Sequence, residues 1–178
     1  GRSEPAMTHR TAVVVGNPRP ASRTLAAATY LLQELTGADP DLVVDLAAVG
    51  PALLDWGDPG VEALVDGVAE ADLVVVASPT YKATYTGLLK LFLDRFAAGR
   101  FRGVAVPLML GAGAGHALAP EVGLAPLLSH LGASVPTGGL YVLDKQHDDP
   151  AAYADWLVRS RPLVTALLDR PRLQGAPA

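Results

Sequence analysis

Solidly apolar runs alternate along the chain with stretches whose apolar residues recur at helical spacing. The first run, Thr11–Gly16 (TAVVVG), is β-branched and ends in glycine. It reads as a strand buried on both faces. After the loop Asn17–Ser22, Leu25, Ala28, Leu32 and Leu35 share one face of a helix, with Ser22 at its N-cap and Gly37 at its stop. Leu42–Leu46 predicts a second strand, and the Asp58-Pro59-Gly60 turn precedes a shorter helix over Val61–Ala69. Asp72–Ala77 is the next buried strand, followed by the loop Ser78–Tyr85 and a helix over about Thr86–Ala98. Val104–Leu110 predicts a fourth strand, Gly111–Gly115 a glycine loop and Ala117–Leu131 a helix. Val135–Val142 holds a fifth strand and Pro150–Leu168 a closing helix.

Strict alternation of apolar strands with helices predicts an α/β, doubly wound parallel sheet. Five strands fit the flavodoxin-like order 2-1-3-4-5 better than a six-stranded dinucleotide fold. In that order the loops leaving strands one, three and four open together at the carboxyl edge, where ligands bind. The length of 178 residues, 50% of them hydrophobic, suits a single domain with a substantial core. We place that domain at residues 8–170, with residues 1–7 a tag remnant or disordered start before a native Met7, and 171–178 a disordered tail. A net charge of −4 gives no basic footprint for nucleic acid or anionic lipid. Cysteine is absent, so there is no disulfide framework, thiolate zinc site or cysteine nucleophile. Gly103–Pro120, a long stretch free of charged side chains, contains Pro107, Gly111, Gly113 and Gly115 and reads as strand, loop and helix start, not a membrane span. With no signal peptide visible, a cytoplasmic protein is expected.

The unusual loops are the ones leaving strands one, three and four. Loop one, Gly16–Thr24, packs Ser22, Thr24, Arg19 and Arg23 at a helix start, where free N–H groups and positive partial charge suit a phosphate. The competing reading is a plain Ser22 cap with solvated arginines. The pattern G-x-x-x-x-G-K-[ST] is absent, which disfavours nucleoside triphosphate hydrolysis. Loop three, Ser78–Gly87, sets Tyr81 and Tyr85 beside Pro79 and suits a flat aromatic ligand, with Lys82 able to reach an anion or ring carbonyl. A turn with its tyrosines in the core is the alternative. Ser78 lacks the G-x-S-x-G context of a nucleophile. Loop four, Gly111–His116, permits close backbone approach. It is not the Rossmann fingerprint, because His116 replaces the last glycine and no acid follows about 20 residues on. His116 reads as a helix-start residue, and His9, His130 and His147 are too scattered for a metal cluster. The helix Gly87–Phe96 is apolar around most of its circumference, which predicts a second buried surface, most simply a subunit interface.

These motifs together resemble the NAD(P)H-dependent FMN reductases of the flavodoxin-like superfamily. The likeness is carried by Gly16-Asn17-Pro18-Arg19 with Ser22-Arg23-Thr24, by Ser78–Lys90, by Gly111–Ala119, and by Pro126–Leu128 and Leu131–Ala133. It is strongest to members that supply reduced flavin to two-component monooxygenases such as the alkanesulfonate systems. The resemblance implies that Asn17, Arg19, Ser22, Arg23 and Thr24 cradle the FMN phosphate, that Pro79, Thr80, Tyr81 and Lys82 run beside the isoalloxazine, and that Gly111, Ala112 and Gly113 close its far side. It also implies hydride transfer from NADPH or NADH to FMN, a flavin-dependent monooxygenase as partner, and a homodimer or homotetramer with the helix after loop three in the interface. No catalytic acid, base or nucleophile is required, because the cofactors carry the chemistry. Alkanesulfonate-linked members have an extra aromatic residue after loop four, associated with a π-bulge and tetramer packing. This chain has Val122 there.

The residues leave FMN open as an exchanging substrate or a bound group, and NADH open against NADPH. A reductase that keeps FMN and acts on a quinone or azo acceptor is the alternative enzyme. A flavodoxin-like electron carrier is the alternative outside enzymes, and a net charge of only −4 argues against it.

Overall fold

The structure, a computed structural model, describes residues 8–170; the two expected disordered ends lie outside the described residues. Five strands, β1 (Thr11–Val15), β2 (Leu42–Asp45), β3 (Leu73–Pro79), β4 (Val104–Gly111) and β5 (Leu140–Leu143), form one sheet in the order β2-β1-β3-β4-β5. Every pairing is parallel, with Val13 beside Val43 and Val75, and Leu110 beside Val142. The expected fold and strand order are therefore those observed. β1, β3 and β4 are buried at every residue, which is why they read as unbroken apolar runs.

Alternate side chains of those strands feed two cores. Val13, Val15, Val75 and Leu108 pack under α1 (Arg23–Thr36) and the closing helix. Val14, Val76 and Met109 pack on the other face. That second face is covered by α2 (Leu46–Val49), α3 (Pro59–Glu70), α4 (Gly87–Leu93) and α5 (Ala125–His130). The closing helix is α6 (Ala151–Leu168). Local chemistry sets the ends. The Ser22 hydroxyl caps α1 by accepting from Leu25 N (3.2 Å), and Gly37 ends it in the left-handed conformation (φ 74°). Asp58 caps α3, with Pro59 at its first turn.

Three expected elements differ. The helix expected over Thr86–Ala98 stops at Leu93, where Arg95 N–H and Phe96 N–H bond to Phe92 and Leu93 carbonyls and tighten the chain. The helix expected over Ala117–Leu131 divides into a 3₁₀ turn (Ala114–His116), a π-helical turn (Pro120–Leu124) and α5. Pro120 and Pro126 have no N–H to continue the α-helical ladder. The π turn thus forms around Val122 with no aromatic side chain. The strand expected over Val135–Val142 is confined to Leu140–Leu143, with Ser134 bridging Val104 alone; Pro136 lacks a donor and Gly138 turns the chain at φ 65°.

The surplus apolar surface expected on the helix after loop three is mostly absorbed within the chain. Leu89, Phe92, Leu93 and Phe96 are all buried, and Phe92, Phe96 and Phe101 stack in series with centroids 5.5 and 5.7 Å apart. What stays exposed nearby is Leu91, with Leu54 and Trp56. Among the described residues no helix is long and apolar enough to cross a membrane, and no cluster of acids and histidines could hold a metal ion.

Candidate functional site

β1, β3, β4 and β5 are neighbours, so their carboxyl ends deliver loop one, loop three, loop four and Asp144 to one edge of the sheet. Gly16 N–H bonds to Ala77 O (2.8 Å) and Thr80 N–H to Leu110 O (2.8 Å), so pairing persists to the point where the loops leave. The sequence-predicted site residues are brought together there.

Loop one divides into braced and free residues. Asn17 donates through Nδ2 to Thr24 Oγ1 (3.1 Å) and accepts the Arg19 N–H at Oδ1 (2.9 Å), so its amide is spent on the loop's own shape. Thr24 is buried at 1% exposure and braces the loop from inside, so its hydroxyl does not line the surface. Ser22 is also buried and caps α1, as expected; its hydroxyl hydrogen remains available as a donor. Arg19 and Arg23 are exposed and have no side-chain partner among the described residues. Asp45, at the end of β2, accepts the Ala21 N–H (3.2 Å), where Ala21 sits at φ 50°; its second carboxylate oxygen is buried without a partner.

Loop three leaves β3 through Pro79, which is buried. Tyr81 and Thr84 exchange backbone hydrogen bonds (2.9 and 3.2 Å), closing a two-residue turn through Lys82 (φ 51°) and Ala83 (φ 71°). Such a turn favours glycine or asparagine, and two ordinary residues in it store strain of the kind found at ligand sites. The turn holds Tyr81 about half exposed (49%) and presents Lys82, which has no ion-pair partner among the described residues. Thr80 Oγ1 is buried and makes no well-formed hydrogen bond, although it lies beside the Tyr141 phenol.

Loop four begins at Gly111, which is buried against the Tyr141 phenol. A Cβ there would collide with the phenol oxygen, so any side chain at 111 would have to push the phenol aside. Ala112 and Gly113 are exposed, and Gly113 has open space where a side chain would stand. The Tyr141 hydroxyl donates to Gly113 O at 2.5 Å. Burial, and then the nearby Asp144 carboxylate, push the Tyr141 pKa above 10.0, so the phenol remains a donor at neutral pH. His116 is exposed and ends the 3₁₀ turn, with three residues between it and the π-helical turn, so it starts no helix.

A hydroxyl latch that sequence reasoning missed joins these loops. Thr86, at the N-cap of α4, accepts from Leu89 N (3.1 Å) and donates to Gly16 O (2.6 Å) across loop one. Its own N–H bonds to Ser78 Oγ (3.0 Å), which donates to Pro79 O (2.8 Å). Gly16 allows this crossing, since a Cβ would lie 2.5 Å from Leu89 Cβ. The threonine was legible as a helix start, but its bond to a residue 70 positions away was not.

The edge thus presents unpaired cations on loop one, an exposed tyrosine and lysine on a strained turn, an orphaned threonine hydroxyl and side-chain-free backbone on loop four. That set fits FMN: cations with a helix N-terminus for the phosphate, and a flat aromatic and small-residue wall with one unused polar group for the ring. Two clefts, about 680 and 370 Å³, open at the opposite, amino edge. Residues such as Asp72, Val104 and Leu168 line them, with none of the loops described above.

The chain matches the family described as NADPH-dependent FMN reductase over residues 9–148. It is 30% identical to an FMN reductase (NADPH) of Escherichia coli over 142 residues, covering 77% of this chain and 74% of the relative. It is 34% identical to the NADH-dependent FMN reductase SfnF of Pseudomonas fluorescens over 158 residues, covering 83% and 80%. Among solved structures, the apo form of the NADH:FMN oxidoreductase EMOB superposes with a TM-score of 0.79 at 26% identity, covering 92% of each chain. These matches span the sheet and all three loops, and the chain belongs to the NADPH-dependent FMN reductase family, NAD(P)H-using flavin reductases on a flavodoxin-like fold.

Proposed function

We propose that FMN binds as an exchanging substrate across loops one, three and four, is reduced there by NADPH or NADH, and leaves to serve a flavin-dependent monooxygenase. The observation that carries this reading is the contrast within each loop: Ser22, Thr24, Pro79, Thr86 and Gly111 are buried and fastened, while Arg19, Arg23, Tyr81, Lys82, Ala112 and Gly113 face solvent. An open rim on a rigid base supports exchange of a ligand. When bound, FMN supplies the hydride acceptor at ring N5, and the nicotinamide the donor at C4.

The chain's residues position. Arg23 and Arg19 offer charge to the phosphate, with the Ser22 hydroxyl and the first N–H groups of α1 behind them. Tyr81 and the Lys82 turn border the ring, and Gly113 lets the backbone approach it. We place the reaction in the cytoplasm. An oligomer on this chain would use Leu54, Trp56 and Leu91, the exposed apolar residues beside α4, and not Leu89 or Phe92. Trp56 lies under the buried Arg95 guanidinium, 4.9 Å from its ring centre, which fixes it beside the end of α4.

The test is flavin dependence and preference. The purified protein is expected to be colourless, to oxidise NAD(P)H only when FMN is added, and to prefer FMN to riboflavin. Losing one or two charge-assisted hydrogen bonds of roughly 1.5–3 kcal/mol each predicts a preference of about tenfold to several hundredfold. Arg23→Ala should narrow that gap by weakening FMN alone. A yellow protein reduced without added flavin, or equal affinity for the two flavins, overturns the reading.

A further inference from the structure

We infer that Tyr141 is a positioning residue for the flavin ring, holding loop four in shape from behind through its hydroxyl. The inference rests on the flavin seat proposed above. Tyr141 lies on β5 opposite Met109, two residues before β4 ends at Gly111 and loop four begins. None of the motifs that resemble the family includes it.

The hydroxyl reaches three parts of the rim. It donates to Gly113 O at 2.5 Å. The phenol fills the space a side chain at Gly111 would need. It also lies against the Thr80 hydroxyl, the buried group of loop three that lacks a well-formed hydrogen bond. Residues 112–118 are all exposed, and among the described residues the Tyr141 bond is the single side-chain hydrogen bond that reaches them. Their backbone contacts are local, such as Ala117 N–H to Ala114 O (3.1 Å). Without the phenol the loop's first residues would be held only by their covalent link to β4. Holding the Gly113 carbonyl outward on the Tyr141 side also keeps its oxygen engaged, so the wall facing the ligand is formed by a backbone of fixed orientation. A wall ordered before binding spares the ligand the cost of ordering it.

Tyr141→Phe removes only the oxygen and keeps the ring that backs Gly111. FMN and riboflavin binding should both weaken, by about three- to tenfold and by the same factor, as for one lost neutral hydrogen bond. The two flavins share the ring, so loss at loop four cannot distinguish them, whereas Arg23→Ala should. KM for FMN should rise with kcat within about twofold, because ring seating and not chemistry is affected. The melting temperature should change little. A merely structural tyrosine predicts the reverse: a lowered melting temperature with both flavin affinities unchanged, which overturns the inference. Loss confined to FMN would also overturn it. If Tyr141→Phe does not fold, Gly111→Ala is the second variant, since its methyl displaces the phenol from Gly113 while keeping the hydroxyl. It should show the same equal loss, and unaltered binding there sinks the proposal. A wild-type protein that binds neither flavin refutes the parent reading instead.

Discussion

Replacing Thr86 by valine tests whether loops one and three are fastened as one unit. Valine fills the same space but removes an oxygen that makes two bonds in a site only 3% exposed. One is the cap on Leu89 N (3.1 Å), whose loss costs about 1 kcal/mol. The other is the bond to Gly16 O (2.6 Å), which leaves a buried carbonyl unpaired at about 1–3 kcal/mol. Together these give roughly 2–4 kcal/mol. At about 2–4 °C per kcal/mol for a domain of this size, the melting temperature should fall by about 5–15 °C. Thr86→Ser keeps the hydroxyl and should recover most of the loss. Calorimetry or circular dichroism measures the stabilities, and flavin titration asks whether FMN binding falls with them in the valine variant alone. Valine and serine variants of equal stability would refute the reasoning, since the hydroxyl would then carry nothing.

Other perturbations separate the site from the scaffold. Ala83→Gly relieves a left-handed alanine (φ 71°) and should raise the melting temperature by a few degrees, about 1 kcal/mol net; a lower melting temperature would show that the turn is not strained. Arg95→Met removes donors to Leu53 O and Asp55 O (both 3.2 Å) and to Glu62 (3.0 Å), and should destabilise by about 2–4 kcal/mol in a thermal melt while leaving FMN affinity within twofold. Burial pushes the pKa of Tyr153 well above 10.0 while its hydroxyl donates to His147 O (2.6 Å). The folded chain therefore keeps a proton that the unfolded chain loses above about pH 10, so stability should be flat below that pH and decline above it, with a shallower decline in Tyr153→Phe.

Burial on both faces is what made the sheet legible. β1, β3 and β4 must be apolar at every position, and no helix at the surface writes that pattern. The alternation with helices then leaves few topologies, and the observed order is the expected one. The stretch after loop four was less legible because its backbone answers to missing donors and to packing, not to periodicity. Pro120 and Pro126 interrupt the ladder, and Gly123 lets the π turn pass close to loop three, since a Cβ there would lie 3.2 Å from Thr84 Oγ1. Apolar spacing carries no record of either. The same blindness produced the overestimate of exposed surface on α4. Hydrophobicity reveals that a residue needs cover, but not that Phe101, folding back from the next loop, and Leu53, far earlier in the chain, supply it.

The candidate site divides along a similar line. The residues proposed to meet the flavin are marked by type and place: arginines and hydroxyls at a helix start, tyrosines beside a proline, glycines where backbone can come close. Each of those signals is local, and each led to the carboxyl edge. The residues that hold the rim in place act across long sequence separations and are ordinary in their own context. Thr86 looks like a helix cap and Tyr141 like a strand residue, yet the first reaches Gly16 and the second Gly113. Asn17 and Thr24, expected at the phosphate, also bond to one another through their side chains, a pairing that residue type alone does not announce. This division has a consequence for mutagenesis. Substitutions at Arg23, Tyr81 or Lys82 should change how tightly flavin is held with little effect on stability. Those at Thr86 should change stability first and flavin binding through it. A variant at Thr86 that bound FMN normally while melting far below wild type would show that the latch serves the fold alone.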